Sequence, residues 1–213
     1  NNFNLVAAQL DQLFKLLMRI SESKSQAMGL SVYQSMINDF DRGIDEQDFT
    51  NLFEDILTKI PELVVSAKNN NSGATNFSMP QADQKVLVEK VCRALGFKGK
   101  IDKSLHPFCG GNAYDVRLTV FYPEDNFMQT ILAAVHESGH GLYEQNLPRD
   151  LIGQPVGRAR GMAMHESQSL FMEKQVGSSR AFCNWFSKFI SQSLPQYKFA
   201  PQDLYYRVNN VTP

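Results

Sequence analysis

Hydrophobic residues recur at helical spacing along most of this chain, and one stretch departs from that period. The patterns over 5–20 and 28–40 each predict an amphipathic helix. A third is predicted over 45–67, where Phe49, Leu52, Phe53, Ile56, Leu57 and Ile60 share a face. Pro61 should bend or break it, because proline brings no amide proton to the helix. The polar run 68–74, Lys-Asn-Asn-Asn-Ser-Gly-Ala, reads as a loop and the clearest flexible link. Helix resumes over 81–95 and is closed by Gly96 in the manner of a C-cap. From 101 to 122 the period shortens toward two, which predicts a small β element turned at Gly110-Gly111-Asn112.

Beyond it the helical period returns. Pro123 closes the apolar run Val116, Leu118, Val120, Tyr122, and Asn126 with Gln129 fits a capping box. Phe127, Ile131, Leu132, Val135 and Leu142 then mark a helix over 126–146. Another is predicted over 161–175 from Met162, Met164, Leu170, Phe171 and Met172. Phe182, Trp185, Phe186 and Phe189 also fall at helical spacing, which favours packing over a base-stacking platform. Gly153, Gly157 and Gly161 lack the lysine and Ser/Thr of a phosphate loop and read as a mobile loop between two helices. The expected fold is mainly α with a small β element, in a single domain over 1–213.

Composition narrows the function classes. With 43% hydrophobic residues in 213, the chain can bury one sizeable core. Lys plus Arg is 21 against 22 for Asp plus Glu, a net charge of -1 that favours neither nucleic acid nor an anionic membrane as partner. No apolar run approaches the roughly 18 residues of a transmembrane helix, and the N-terminus shows no signal-peptide pattern. Cys92, Cys109 and Cys183 are odd in number and widely spaced, which points to free thiols in a reduced, cytoplasmic protein.

The chemistry is concentrated in His136-Glu137-Ser138-Gly139-His140. On a helix, histidines four apart leave the same face one turn from each other and can share one metal ion. Glu137 sits beside the ion, where it could take a proton from a water that the ion has acidified, and is the candidate general base. Gly139 and Gly141 flank His140 and are poor helix formers, so they indicate a close backbone approach. All four histidines, His106, His136, His140 and His165, fall within 106–165. A catalytic zinc site usually has three protein ligands and a water, and Glu166 is the best-placed third ligand, although alone it reads as a solvated helix charge. Glu144 and Glu173 are the competing carboxylates. Glu173 shares a helix face with Glu166 and suits a partner that orients a ligand.

These residues resemble a known family. His106-Pro107-Phe108, Asp115-Val116-Arg117-Leu118-Thr119, His136-Glu137-Ser138-Gly139-His140 and His165-Glu166-Ser167-Gln168 are similar, in order and approximate spacing, to the motif series of the carboxypeptidase Taq (M32) metallocarboxypeptidases. The resemblance implies a helical zincin-like fold related to neurolysin and angiotensin-converting enzyme, with a small β element before the metal helix. It implies a deep groove from which single residues are released from peptide C-termini. It carries over His136, His140 and Glu166 as metal ligands and Glu137 as catalytic base, with zinc as the default ion and cobalt as an alternative.

A carboxypeptidase must also hold the substrate's terminal carboxylate, a task suited to the rigid fork of an arginine. Arg117 is the candidate from this sequence, and a buried ion pair with Asp115 is the equal alternative. His165 either donates a hydrogen bond to substrate or oxyanion, or packs beside Glu166. His106 is expected to shape the pocket wall. Family members are about twice as long, so the chain is expected to be a fragment lacking the downstream tyrosine and arginine that the family places around the substrate. Uncovered apolar faces would then favour a homodimer. Two further readings stay open: a non-catalytic metal-binding helical fragment, or half of a site completed by a second chain, and an endopeptidase of the same helical superfamily.

Overall fold

The computed structural model describes residues 2–69 and 77–210, which divide into two compact units. The predicted loop at 68–74 falls almost wholly outside the described residues. The first unit spans residues 1–62 with 160–162 and holds α1 (Asn4–Met28), α2 (Val32–Phe40) and the start of α3 (Glu46–Asn69). The first predicted helix runs further than its apolar pattern, and the second starts later. Gly29, at φ 67°, ends α1, while Ser31 caps α2 by accepting from the Gln34 amide at 3.0 Å. Helix α3 continues through Pro61, so the proline does not break it, and the division between the units falls just beyond, after Glu62. Leu5, Phe14, Leu16 and Met18 on α1 are exposed.

The second unit carries the remaining elements. They are α4 (Gln81–Ala94), β1 (Lys100–Lys103), β2 (Phe108–Gly111), β3 (Val116–Val120), α5 (Phe127–Gln145), α6 (Met162–Leu170), α7 (Arg180–Ser193) and α8 (Pro201–Val208). The sheet order is β1-β3-β2, with β1 parallel and β2 antiparallel to β3. The predicted turn is displaced, because Gly110 and Gly111 lie within β2. Asn112 makes the reversal by accepting the Tyr114 and Asp115 amides at 2.9 and 3.2 Å. Gly111 has φ 138°, and a Cβ there would lie 2.0 Å from the Asp115 carbonyl oxygen.

Helix α5 runs through the core. Ile131, Ala134 and Val135 are fully buried, among Leu87, Val91, Leu118, Phe186 and Leu204 from the surrounding elements. Burying side chains of this size stabilises by about 2 kcal/mol each. The start of α5 is fixed by the buried Gln84. Its Nε2 donates to the Met79 and Pro123 carbonyls at 2.7 and 2.8 Å, and its Oε1 accepts from Thr130 Oγ1 at 2.6 Å. Asn126 caps α5 by accepting from the Gln129 amide at 3.4 Å, as predicted. The three cysteines are free and buried.

The segment between α5 and α6 contains two short 3-10 turns, Arg149–Leu151 and Pro155–Gly157. The helix predicted over 161–175 is α only to Leu170 and then continues as a π-helical stretch, Phe171–Gly177. On α7, Phe182 and Phe186 are buried, whereas Trp185 lies partly at the surface against Phe189 with ring centroids 4.6 Å apart.

Candidate metal centre

One turn of α5 presents His136 and His140 on the same side, and α6 brings Glu166 opposite them. Their ligand atoms lie within 4.8 Å of one another. His136 Nε2 is 3.8 Å from Glu166 Oε1, and His140 Nε2 is 3.3 Å from Glu166 Oε2. Two imidazoles and a carboxylate converging in this way form a nitrogen and oxygen donor set that could hold a metal ion. The convergence depends on how closely the helices approach. A Cβ on Gly139 would lie 2.6 Å from both the Gln168 carbonyl oxygen and Ser169 Cα, so only glycine allows α6 this near. Gly141 faces the other way, where a Cβ would lie 2.4 Å from the Phe97 ring. The glycines flanking His140 thus seat α5 on both sides.

The ring nitrogens turned away from Glu166 are also engaged. His136 Nδ1 lies 2.8 Å from Glu173 Oε2, and Glu173 in turn accepts from Lys174 Nζ at 2.5 Å. This hydrogen bond is the main cause of a His136 pKa above the usual histidine value, and it holds the Glu173 carboxyl below the usual carboxylate range. His140 Nδ1 lies 2.6 Å from His165 Nδ1, and His165 Nε2 lies 2.8 Å from Glu144 Oε1. Burial, reinforced by the neighbouring His165 and His136, holds His140 below the usual histidine value and so favours the neutral ring a metal ligand needs. Glu137 is 7% exposed, and burial pushes its carboxyl from 4.5 to about 7.

The sequence profile of the carboxypeptidase Taq (M32) metallopeptidase family matches residues 1–213. The chain belongs to that family. It is 31% identical over 187 residues to carboxypeptidase 1 of Bacillus subtilis, covering 84% of this chain and 37% of the relative. The fold superposes on metallocarboxypeptidase 1 of Trypanosoma cruzi with a TM-score of 0.83 at 29% identity, covering 95% of this chain and 42% of the other. An M32 carboxypeptidase from Deinococcus radiodurans also gives 0.83, at 26% identity over 97% of this chain and 43% of the other. The chain spans less than half the length of each of these relatives.

Within this M32 chain the predicted site residues separate into groups. Glu137 and His136 line a cleft of about 530 Å³, together with His106, Gln129, Glu173 and Arg207. His106 is an exposed part of the cleft wall. His165 does not line the cleft, and both its ring nitrogens are taken up by His140 and Glu144. Arg117 also lies outside it. Its Nη2 pairs with Asp115 Oδ2 at 2.8 Å, and the pair is exposed rather than buried, with side chains 61% and 58% accessible. Of the three carboxylates weighed as third ligand, only Glu166 joins the two histidines, while Glu144 and Glu173 stand behind them.

Sequence reasoning missed Arg207. It stands on α8 in the cleft lining, with its Nε buried and without a hydrogen-bond partner among the described residues. A lone arginine on a short helix carries no sequence signal.

Proposed function

We propose that this chain carries the metal-binding half of a zinc-dependent metallocarboxypeptidase. Hydrolysis would remove single residues from peptide C-termini. The observation that carries the reading is the convergence of two imidazole Nε2 atoms on Glu166 beside the buried Glu137. A donor set of two nitrogens and one oxygen suits zinc, with cobalt as a second choice. A divalent cation held by His136, His140 and Glu166 would polarise a peptide carbonyl and acidify water at neutral pH.

Glu137 would take the proton released by the attacking water and deliver it to the departing amine. Its burial supports this role, since a base with a pKa near the working pH both accepts and returns a proton efficiently. Glu173 would hold His136 in orientation. For the substrate's terminal carboxylate we assign Arg207 in place of Arg117. Arg207 lines the cleft and its buried Nε has no partner among the described residues, whereas Arg117 already has Asp115 as its partner. The exposed apolar side chains of α1 support burial of this face against a second copy of the chain or against further chain.

The test is cleavage of matched peptides with free and amidated C-termini. Activity confined to the free acids, with KM raised tens of fold by Arg207→Ala and unchanged by Arg117→Ala, is expected, since a charge-assisted hydrogen bond is worth about 2 kcal/mol. Equal cleavage inside amidated peptides would establish an endopeptidase instead. Metal binding without hydrolysis of either substrate would leave the chain as a non-catalytic metal-binding fragment.

A further inference from the structure

The reading of His136, His140 and Glu166 as a metal site leaves open what Glu144 and His165 do, and on that reading we infer that Glu144 acts through His165 to fix the tautomer and orientation of His140. A carboxylate oxygen accepts, so the 2.8 Å contact places the hydrogen on His165 Nε2. The Nε2–H tautomer of His165 has a lone pair on Nδ1, 2.6 Å from His140 Nδ1. His140 must therefore carry its hydrogen on Nδ1, which leaves its Nε2 lone pair facing Glu166 and the metal position. In the reverse arrangement the carboxylate would face a lone pair, and His140 would present a hydrogen to the metal.

Position strengthens the case. The side chains of Glu144, His165 and His140 are only 14%, 19% and 15% accessible, so water competes weakly for these bonds. The Tyr143 ring meets His165 edge-on at 5.3 Å, which limits its rotation. His140 and Glu144 are one turn apart on α5, whereas His165 comes from α6 and immediately precedes Glu166. The relay therefore links the two ligand-bearing helices one residue from the third ligand. Glu144 and His165 are positioning residues, and His165 has no ring nitrogen to offer a substrate.

The test is zinc affinity by competition with a chromophoric chelator, combined with imidazole nitrogen NMR of the metal-free protein. Glu144→Ala and His165→Phe are each expected to weaken zinc about 10- to 100-fold, Glu144→Gln less because its amide oxygen still accepts, and the Glu144→Ala/His165→Phe double variant no more than His165→Phe alone. The NMR of the unmodified chain should show Nδ1–H on His140 and Nε2–H on His165, a readout that survives misfolding of any variant. A lowered melting temperature with unchanged zinc affinity, additive losses in the double variant, or an Nε2–H tautomer on His140 would each overturn the relay. Failure of the unmodified chain to bind zinc would overturn the metal reading, with the tautomers still deciding the relay.

Discussion

Replacing Gly139 by alanine should separate the two helices that hold the ligands. The added methyl would meet the Gln168 carbonyl oxygen and Ser169 Cα at 2.6 Å, and ordinary contact begins at 3.4 Å, so the backbones must part by about 0.8 Å. Metal–ligand bonds tolerate deviations of about 0.2 Å, and a shift of this size moves Glu166 out of reach of an ion centred on the histidines. Alanine is favoured over glycine in a helix by about 1 kcal/mol, whereas overpacking costs about 1–3 kcal/mol, so global stability should fall by no more than about 2 kcal/mol. Zinc affinity should fall at least tenfold, roughly 1.4 kcal/mol or more. Gly141→Ala is the matched control. Its methyl would strike the buried Phe97 ring at 2.4 Å, on the side away from α6, and should lower the melting temperature while leaving zinc affinity within a few-fold. Chelator competition and thermal unfolding on both variants separate these effects. Undiminished zinc binding by Gly139→Ala, or an equal loss in Gly141→Ala, would refute the idea that glycine sets the ligand spacing.

Glu137→Gln should abolish peptide hydrolysis, by at least about a thousandfold in kcat, while zinc content by elemental analysis stays at the unmodified level. The same residue gives the metal-free protein a pH dependence. Its carboxyl is raised from 4.5 to about 7 in the fold, so the folded state holds this proton more tightly than the unfolded chain. Stability should therefore decline as pH rises from 4.5 to about 7, by at most about 3 kcal/mol, and denaturant titrations of Glu137→Gln should lack that part of the decline. Chelation of saturating zinc should lower the melting temperature of the unmodified chain by roughly 10 °C, since binding at a thousandfold excess over Kd contributes about 4 kcal/mol, and should leave His140→Ala unmoved.

The period of the apolar residues disclosed the helix bearing the histidines because each position, from the Asn126 cap to the buried Ile131 and Val135, serves one local purpose. Gly139 and Gly141 were readable for the same reason, as costly helix residues with no local use. Conflicts between local and tertiary preference were harder to read. Pro61 is carried within α3 despite its missing amide, and Gly29 ends α1 well past residue 20, where the apolar pattern placed its end. The π-helical stretch at Phe171–Gly177 shares its hydrophobic spacing with an ordinary helix, so its carriage of Glu173 to His136 had no distinct signature. Spacing put Glu144 one turn beyond His140 but could not show His165 arriving between them from another helix. Arg117 and Arg207 differ only in their surroundings, which a single sequence does not record.

The most direct measurement is metal content of the purified chain by elemental analysis, beside His140→Ala and Glu166→Ala. About one zinc or cobalt per chain, lost in both variants, is the expected result. A metal-free unmodified chain under zinc-replete conditions, or full metal retained by Glu166→Ala, would contradict the three-ligand centre.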